Sequence, residues 1–365
     1  MRVSVLIPYY NDREFLPIAI ESVLNQTFND FELILVNHAT TDDCREIAHS
    51  YNDKRIVHID MDKNYGAGTG LIMEQFLKKA TGEYIKLFCA DDVMNPNCLK
   101  DLVEYMDTHP EKDFAFGDVE YINNKNKLMN NTWFKNRRDF KLQNDEIASL
   151  KLLFAGRGFL PYIGCIIKTD ALRSIELDKS FISLFDMSIW ASLLLKGYKM
   201  GYLTNIVAKY RIHDKQSSSL KNRIRIGHCS FYESHKYIDI FIKSNNLNLL
   251  KELFKDNAYV KRVKDLTEED MKFIVCYETM FTDFGNLQLT GYSYIYDMLQ
   301  DPQKRKYLEE KFNFGIKELR DVYSTLNECK PRDSAKFLLY LLFKKFIKFI
   351  TFEKQRRERH RQETL

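Results

Sequence analysis

The sequence predicts an α/β protein in which helices flank a mostly parallel sheet, followed by a mainly helical C-terminal region. Two observations lead to this prediction. Short apolar runs rich in β-branched residues alternate with amphipathic helical segments through the first third of the chain. Beyond the serines at 217–219, the chain is typical of helices and is rich in Lys, Asn and Tyr. We therefore expect a first domain at 1–215, a helical region at 216–333 and a basic tail at 334–365.

The elements follow one another in a regular order. Strands are predicted at Val3–Pro8, Phe31–Val36, Arg55–Asp60 and Glu83–Cys89, and all but the third are expected to be buried. Amphipathic helices that connect them are predicted at Glu14–Gln26, Thr41–Tyr51 and Leu71–Ala80. Connections of this kind make right-handed βαβ units, whose strands run parallel. Further along, short strands are expected near Phe114–Tyr121, Tyr162–Lys168 and Ile206–Tyr210, with a helix at Met187–Lys196.

Composition narrows the class of protein. The 365 residues are 45% hydrophobic, which is enough for a buried core, and the net charge of +4 is too small to indicate wrapping on nucleic acid. The seven cysteines form no CxxC pair and are scattered, as expected for reduced thiols in the cytosol. The sequence contains no run of about 18 apolar residues, so no transmembrane helix is predicted. The apolar run at its start is too short for a signal peptide. We expect a cytoplasmic globular protein.

An acidic pair follows the fourth predicted strand. Asp91 and Asp92 come directly after the apolar run Tyr84–Cys89. Adjacent carboxylates at the end of a buried strand repel each other and lose hydration unless a cation neutralises them. Mg²⁺ and Mn²⁺ accept carboxylate oxygens together with the phosphates of a substrate. The alternative is that Asp92 caps the following turn and that Asp91 is solvated.

The position of this acidic pair and the order of the segments before it resemble a known family, the family 2 glycosyltransferases, whose catalytic domain has the GT-A nucleotide-sugar-binding fold. The resemblance covers residues 1 to about 215. It rests on five segments that occur in the expected order: Val3–Asn11, Ala19–Thr27, Phe31–Val36, Ala80–Ile85 and Ala90–Asp92.

The resemblance implies a set of donor-binding residues. The donor would be a nucleoside-diphosphate sugar, with a UDP-sugar favoured. Asp91 would be the second acidic residue of the family's D-x-D motif and would bind Mn²⁺ or Mg²⁺ bridged to the diphosphate, helped by Asp92. His213 is a further candidate for a donor or metal contact, with a structural role as the alternative. The nucleotide would be held by Pro8, Tyr9, Asn11, Asn37 and His38.

The resemblance also implies the reaction. Asp186 falls where inverting members place the carboxylate that takes the proton of the acceptor hydroxyl. Its alternative role is the N-cap of the helix that follows. The stretch after the third strand, with Asn64, Gly66 and Gly68, would face phosphate or sugar because glycine lets the backbone approach a ligand closely.

The chain departs from the family's pattern at three places. Asn37 and His38 replace an Asp-Asp pair that often reads the base, Cys89 replaces the first acid of D-x-D, and Phe185 replaces a glutamate before the base. These departures keep a second interpretation open, a non-catalytic nucleotide- or glycan-binding protein on a decayed transferase fold. A third is a sugar-nucleotide nucleotidyltransferase, although Pro8–Asn11 lacks the glycine-rich basic loop expected for one.

The tail is amphipathic at helical period over 334–350 and then strongly basic; residues 334–365 contain nine Lys and Arg against three Glu. Two interpretations stay open: a helix packed on protein, or a helix lying on an anionic membrane surface through 334–361. Membrane contact would suit a glycan or lipid-linked acceptor in bacterial surface polysaccharide or lipooligosaccharide synthesis. Nucleic acid is not expected as a partner, because no basic face accompanies stacking aromatics.

Overall fold

The computed structural model describes residues 1–65, 69–136, 145–158, 160–214, 216 and 223–328. Two predicted loop residues, Gly66 and Gly68, and the predicted tail at 334–365 lie outside this part of the chain. The described contacts divide the molecule into a large unit at Met1–Ser293 and a second unit that starts at Tyr294.

Nine strands of the described residues form one sheet in the order β3-β2-β1-β4-β8-β6-β9-β5, with β7 paired to β6. Their bounds are β1 Val3–Tyr9, β2 Phe31–Asn37, β3 Ile56–Asp60, β4 Tyr84–Leu87, β5 Val93–Met94, β6 Phe114–Asn123, β7 Leu128–Thr132, β8 Cys165–Lys168 and β9 Met200–Ile212.

The first four strands pair in parallel, as predicted. The other half of the sheet differs, because β8 runs antiparallel to both of its neighbours, β4 and β6. In addition, β5 pairs antiparallel with β9, and β7 pairs antiparallel with β6. The sheet is therefore mixed, with its parallel half formed by the βαβ units that the hydrophobic pattern indicates. The antiparallel pairings join segments far apart in the chain, which the pattern of single segments does not reveal.

Fifteen helices occur in the described residues. The first eight are α1 Leu16–Leu24, α2 Cys44–Ser50, α3 Thr69–Lys79, α4 Cys98–Thr108, α5 Trp133–Asn136, α6 Glu146–Phe154, α7 Thr169–Ser174 and α8 Phe185–Leu195. The C-terminal helices are α9 Arg223–Ile242, α10 Leu247–Leu253, α11 Ala258–Arg262, α12 Glu268–Thr279, α13 Gly285–Gln300, α14 Pro302–Phe312 and α15 Ile316–Glu328. A C-terminal region of helices is confirmed. No described helix is long and apolar enough to span a bilayer.

One face of β1 packs into the main hydrophobic core. Val3, Val5, Ile7 and Tyr9 belong to the core cluster that also contains the buried faces of α1 and α4. Successive side chains of a strand point to opposite faces, so this alternation takes Tyr9 into the core together with the valines. Tyr9 is only 2% exposed.

A buried polar cluster links β1, β2 and the turn before β4. The Ser4 hydroxyl donates to Glu32 at 2.6 Å, and the same carboxylate oxygen accepts from the Thr81 backbone N–H at 2.7 Å. The Gly82 N–H donates to Ser4 Oγ at 2.8 Å, and a Cβ at Gly82 would lie 2.5 Å from the Ser4 nitrogen. Only glycine permits this approach. The Thr81-Gly82 motif therefore has a structural role, closing the edge of β4 onto β1.

Gln26, which follows the C-terminal end of α1, also joins separate segments of the chain through its side chain. Its amide nitrogen donates to the carbonyl of Asn95 at 2.7 Å, and its oxygen accepts from the Leu99 N–H at 3.0 Å. A single buried side chain thus holds the loop that follows Asp92 against the start of α4.

The helices from α9 onward to residue 293 belong to the same compact unit as the sheet. The Tyr237 hydroxyl on α9 donates to the carbonyl of Leu153 on α6 at 2.8 Å, and Tyr237 is fully buried. The predicted division at residue 215 stays a prediction.

Candidate active site

Two residues predicted from the resemblance meet at the carboxyl end of β4. His213, just after β9, has its Nε2 atom 3.0 Å from Oδ2 of Asp91. The imidazole is 8% exposed and the carboxylate side chain 25% exposed. The structure thus brings together two candidate ligands that are 122 positions apart in the chain.

Asp92 lies deeper, with only 1% of its surface exposed. Its Oδ1 accepts from the Arg211 backbone N–H at 2.8 Å, whereas its Oδ2 is buried with no hydrogen-bond partner among the described residues. Burial, followed by the charge of Asp91, raises the pKa of Asp92 well above its ordinary value. An orphaned carboxylate oxygen beside a second carboxylate is an arrangement that a bound cation would stabilise.

Arg211 fixes the main chain of this region. Its Nε donates to the carbonyl oxygen of Asp91 at 2.6 Å, and its Nη1 donates to Oδ1 of Asn126 at 2.6 Å. The guanidinium carbon lies 4.5 Å from the centroid of the Phe15 ring. Because Arg211 is 1% exposed, it acts as a buried strut between β9, the Asp91 loop and α1.

The cluster at Cys89, Asp91 and Asp92 places one donor atom of each residue within 4.8 Å of the others. Burial and the neighbouring carboxylates raise the pKa of the Cys89 thiol well above its ordinary value, and sulfur is in any case a ligand for soft metals rather than for hard divalent cations. Carboxylate oxygens and the imidazole remain. This donor set, with the orphaned oxygen of Asp92, fits a hard divalent cation.

Two further ionisable groups surround the pair. Asp12, after β1, has its pKa raised to about 6, chiefly by burial and also by the charge of Asp91. Lys86, on β4, is fully buried and donates to the carbonyls of Leu87 and Ile163. The positive charge of Lys86 acts on Asp92 and opposes the rise of its pKa. The site therefore combines three carboxylates with one buried lysine.

Asp186 occupies the first turn of α8. The helix begins at Phe185 after the N-cap Leu184, so the alternative N-cap role for Asp186 is wrong. Its Oδ1 accepts from the Met187 N–H at 2.8 Å. Burial raises the pKa of Tyr162, and Cys89 and Asp186 add to the effect. Cys89 and Asp186 are therefore both within electrostatic reach of Tyr162.

The nucleotide residues predicted on β1 need a correction. The Tyr9 side chain packs in the core and is closed to a ligand, since it faces the same way as Val5 and Ile7. The neighbouring Tyr10 is 40% exposed and approaches the His38 ring edge-on with centroids 6.4 Å apart. Pro8 lies half-buried inside β1.

Asn37 and His38 need the same correction. The Asn37 amide nitrogen donates to Asp60 at 2.9 Å, its oxygen accepts from the Thr40 N–H at 2.9 Å, and the residue is 3% exposed. His38 is 5% exposed, and its Nε2 accepts from the Tyr65 N–H at 3.0 Å. Burial lowers the pKa of His38, so the ring is neutral. These side chains hold loops in place and are not available to read a base.

Asn11 adopts the left-handed conformation at φ 56° and joins two loops. Its oxygen accepts from the Thr41 N–H at 2.9 Å, and its amide nitrogen donates to the Thr41 hydroxyl at 3.1 Å. Asn64 is exposed at the end of the described loop after β3. Tyr65, the next residue, is 42% exposed and stacks parallel to His38 at 6.4 Å.

The residues that the sequence interpretation missed are Asp12, Tyr10, Lys86 and Arg211. Lys86 could have been found from the sequence, because a lysine inside an apolar strand either forms an ion pair or lies at a functional site. Arg211 had a weaker signal, its position two residues before His213. Tyr10 follows from the alternation of β1, which predicts that the residue after Tyr9 faces away from the core.

Comparison with known proteins shows the family to which this domain belongs. Residues 4–162 match the model of the family described as glycosyl transferase family 2. An uncharacterized glycosyltransferase from Methanocaldococcus jannaschii is 27% identical over 219 residues, which are 59% of this chain and 72% of the relative. The Escherichia coli protein named UDP-Glc:alpha-D-GlcNAc-diphosphoundecaprenol beta-1,3-glucosyltransferase WfaP is 25% identical over 69% of this chain and 96% of its own.

Solved structures show the same fold. Residues 1–349 of TarS from S. aureus, in complex with UDP-GlcNAc, align with a TM-score of 0.54 at 16% identity, covering 90% of this chain and 92% of that chain. The mannosyltransferase PcManGT from Pyrobaculum calidifontis, in complex with GDP-Man and Mn²⁺, aligns with a TM-score of 0.51 at 15% identity, covering 90% and 88%. Residues 4–162, which include Asp91, therefore form a glycosyl transferase family 2 domain, and the chain is a glycosyltransferase of GT-A fold.

Proposed function

We propose that the chain transfers a sugar from a nucleoside-diphosphate sugar to a hydroxyl of a glycan or lipid-linked acceptor, with inversion and with a divalent cation. The observation that carries this proposal is the approach of His213 to Asp91 at 3.0 Å, at the carboxyl end of β4.

Asp186 acts as the base. In an inverting transfer the acceptor hydroxyl attacks the anomeric carbon on the face opposite the leaving diphosphate, and its proton must go to a nearby group as the bond forms. The Asp186 carboxylate is half-buried in the first turn of α8, and its Oδ1 is steadied by the Met187 N–H. Holding the base in one orientation shortens the search for a reactive geometry.

Asp91 and His213, helped by Asp92, would hold the cation, and Arg211 keeps the Asp91 loop in place. When bound, the cation neutralises charge that develops on the departing diphosphate. Tyr10 and Tyr65, exposed on either side of His38, offer aromatic faces for a base. A uridine nucleotide is favoured, although neither Asn37 nor His38 supplies a carboxylate to read it.

The relatives support a role in bacterial surface glycan synthesis. The name of WfaP specifies a UDP-Glc donor and a diphosphoundecaprenol-linked acceptor. TarS and PcManGT were solved with UDP-GlcNAc and GDP-Man. A lipid-linked acceptor would bring this protein to the inner face of the cytoplasmic membrane, where the basic segment 334–361 provides positive charge.

A thermal-shift panel tests the proposal. UDP, GDP, UDP-Glc, UDP-GlcNAc and GDP-Man are each added with Mn²⁺, with Mg²⁺ and with a chelator. A ligand at 100 times its Kd stabilises the native state by about 2.7 kcal/mol. We expect one nucleotide to raise Tm only in the presence of metal. Equal Tm values in every well would contradict the proposal and support a protein that has lost donor binding.

A further inference from the structure

One buried carboxylate lies outside the acidic cluster and has a distinct set of partners. Glu233, on α9, is 5% exposed. Its Oε1 accepts from the Ile182 N–H at 2.7 Å, and its Oε2 accepts from the Leu184 N–H at 2.9 Å. Ser183 donates to Oε2 twice, from its backbone N–H at 3.0 Å and from its hydroxyl at 3.1 Å. The carboxylate thus binds three consecutive backbone amides.

Those amides form the turn that leads into α8. The first four N–H groups of a helix and the amides before it have no partners inside the helix, and a side chain at the N-cap normally satisfies one of them. The N-cap of α8 is Leu184, whose apolar side chain accepts no hydrogen bond. Glu233, on another helix, supplies acceptors for the three amides that lead into α8, up to that of the N-cap residue Leu184. Its negative charge also lies at the positive end of the α8 dipole, where an anion is stabilising.

The next turn of α9 reaches the same place. Tyr237, four residues after Glu233 and on the same helical face, is fully buried; burial raises its pKa, and the charge of Asp186 adds to the effect. Glu233 therefore holds the residues just before α8, and Tyr237 is within electrostatic reach of Asp186 in its first turn.

We propose that Glu233 is a positioning residue, which fixes the first turn of α8 and thereby the orientation of the Asp186 carboxylate. This inference rests on the proposed function, because it assigns Glu233 to the same proton transfer. It gives part of the C-terminal helical region a role in the reaction. Glu233 is too distant in sequence from Asp186 for any motif to connect them, and it touches no reacting atom.

The test compares Glu233→Ala and Glu233→Gln with a control, Glu252→Gln. Glu252 is a half-exposed carboxylate on α10 that pairs with Lys255. Three quantities are measured for each full-length variant: kcat and KM for release of the nucleoside diphosphate from the donor found by the panel, the Kd of that diphosphate with Mn²⁺, and amide hydrogen exchange over 181–187. The pair Glu233→Ala and Asp186→Asn is also combined in one chain.

Misplacing a catalytic group by about 1 Å can cost roughly 100-fold in rate. We expect Glu233→Ala to lower kcat by about 10- to 100-fold, with diphosphate Kd within about twofold of wild type and with faster exchange at 182–184. Gln keeps one acceptor oxygen and should have a smaller effect, so it also serves if the Ala variant does not fold. In the Asp186→Asn background, removing Glu233 should change the residual rate little, because its effect acts through Asp186.

Three outcomes would overturn the inference: kcat of both Glu233 variants equal to that of Glu252→Gln, a fall in kcat matched by an equal loss of diphosphate affinity, or an undiminished Glu233 effect in the Asp186→Asn background. Failure of the proposed function looks different. A wild-type chain that releases no diphosphate from any donor contradicts the transferase proposal, and this inference falls with it. An active wild type with unaffected Glu233 variants contradicts the inference alone.

Discussion

Two regions at the same edge of the sheet use their polar side chains in opposite ways. The first consists of the loops after β1 and β2, residues 10–12 and 37–42. Its amides bond to other parts of the same loops or to a neighbouring strand: Asn11 to Thr41, and Asn37 to Asp60. The second consists of the segments 89–92 and 211–213. There the Asp92 Oδ2 is buried with no partner among the described residues, and a quarter of the Asp91 side chain is exposed.

The difference distinguishes loop-holding residues from ligand-holding ones. A side chain whose donors and acceptors are all used inside the protein has none left for a ligand, however polar it is. A buried polar atom without a partner costs free energy, so its persistence indicates that something else supplies the partner. Together with the approach of His213 to Asp91, this criterion leads us to expect the chemistry at 89–92 and 211–213, with the loops at 10–12 and 37–42 shaping the space around it.

The largest expected effect is at Asp186, the proposed base. Asp186→Asn keeps the shape of the side chain but removes its ability to take a proton. General-base catalysis typically contributes about 100- to 10,000-fold. We expect kcat for transfer to fall about 1,000-fold, with the Kd of the nucleoside diphosphate unchanged. The measurement is steady-state kinetics together with calorimetric binding.

Asp170→Asn is the matched control. Asp170 is likewise the second residue of a helix, α7, and it is exposed. Its substitution should leave kcat within twofold of wild type. A similar loss in both variants would mean that the Asp186 effect arises from helix stability, and wild-type kcat in Asp186→Asn would remove Asp186 from the mechanism.

The next effect is on stability. Arg211→Leu removes the buried guanidinium that contacts the Asp91 carbonyl, Asn126 and the Phe15 ring, and it removes one of the two positive charges, with Lys86, that act on Asp92. Removing one partner of a buried charged group typically costs about 3–5 kcal/mol. We expect the free energy of unfolding in urea to drop by about 3 kcal/mol.

The control for this prediction is Arg262→Leu. Arg262 also lies over an aromatic ring, that of Tyr259 at 5.3 Å, but it is exposed. Its loss should change the free energy of unfolding by about 0.5 kcal/mol or less. Equal changes in the two variants would show that Arg211 is not a buried strut.

The smallest effect belongs to the first region. His38→Phe keeps the ring but removes the acceptor of the Tyr65 N–H, a loss of about 1 kcal/mol that should leave diphosphate Kd unchanged. The pH dependence gives a second test. Because burial lowers the pKa of His38 from about 6.5, the unfolded chain binds more protons below that value, and stability falls as pH decreases through it.

His38→Phe should therefore weaken the acid sensitivity of the fold between pH 8 and pH 5, measured by urea unfolding at both values. A variant that loses donor affinity with unchanged stability would place His38 in the nucleotide site and reverse the comparison of the two regions.

Much of this molecule could be predicted from short-range sequence patterns. The apolar runs Val3–Pro8 and Phe31–Val36 indicated the parallel strands, because their composition suits strands buried on both faces. Asp91 and His213 were chosen from the resemblance, and the structure brings them within 3.0 Å. Their roles, like that of Asp186, stay predictions until they are measured.

The parts that could not be predicted depend on contacts between distant segments. The antiparallel pairing of β8 joins strands that are distant in the sequence, and so do the hydrogen bonds from Glu233 to the turn before α8. The error at Tyr9 has another cause: the motif was interpreted without the twofold alternation of β1, which directs Tyr9 to the core and Tyr10 outward. Asn37 and His38 are polar enough to suggest ligand contacts, and only their partners reveal that they hold loops.

The most direct measurement is titration calorimetry of the nucleoside diphosphate into wild type and Asp91→Asn, each with Mn²⁺ and with a chelator. The exposed Glu104, which pairs with Lys100 on α4, supplies the control Glu104→Gln. Wild type and control should bind at least tenfold more tightly with Mn²⁺, a difference of about 1.4 kcal/mol, and Asp91→Asn should bind equally weakly in both conditions. Metal-dependent binding that persists in Asp91→Asn would contradict the placement of the donor site at Asp91 and His213.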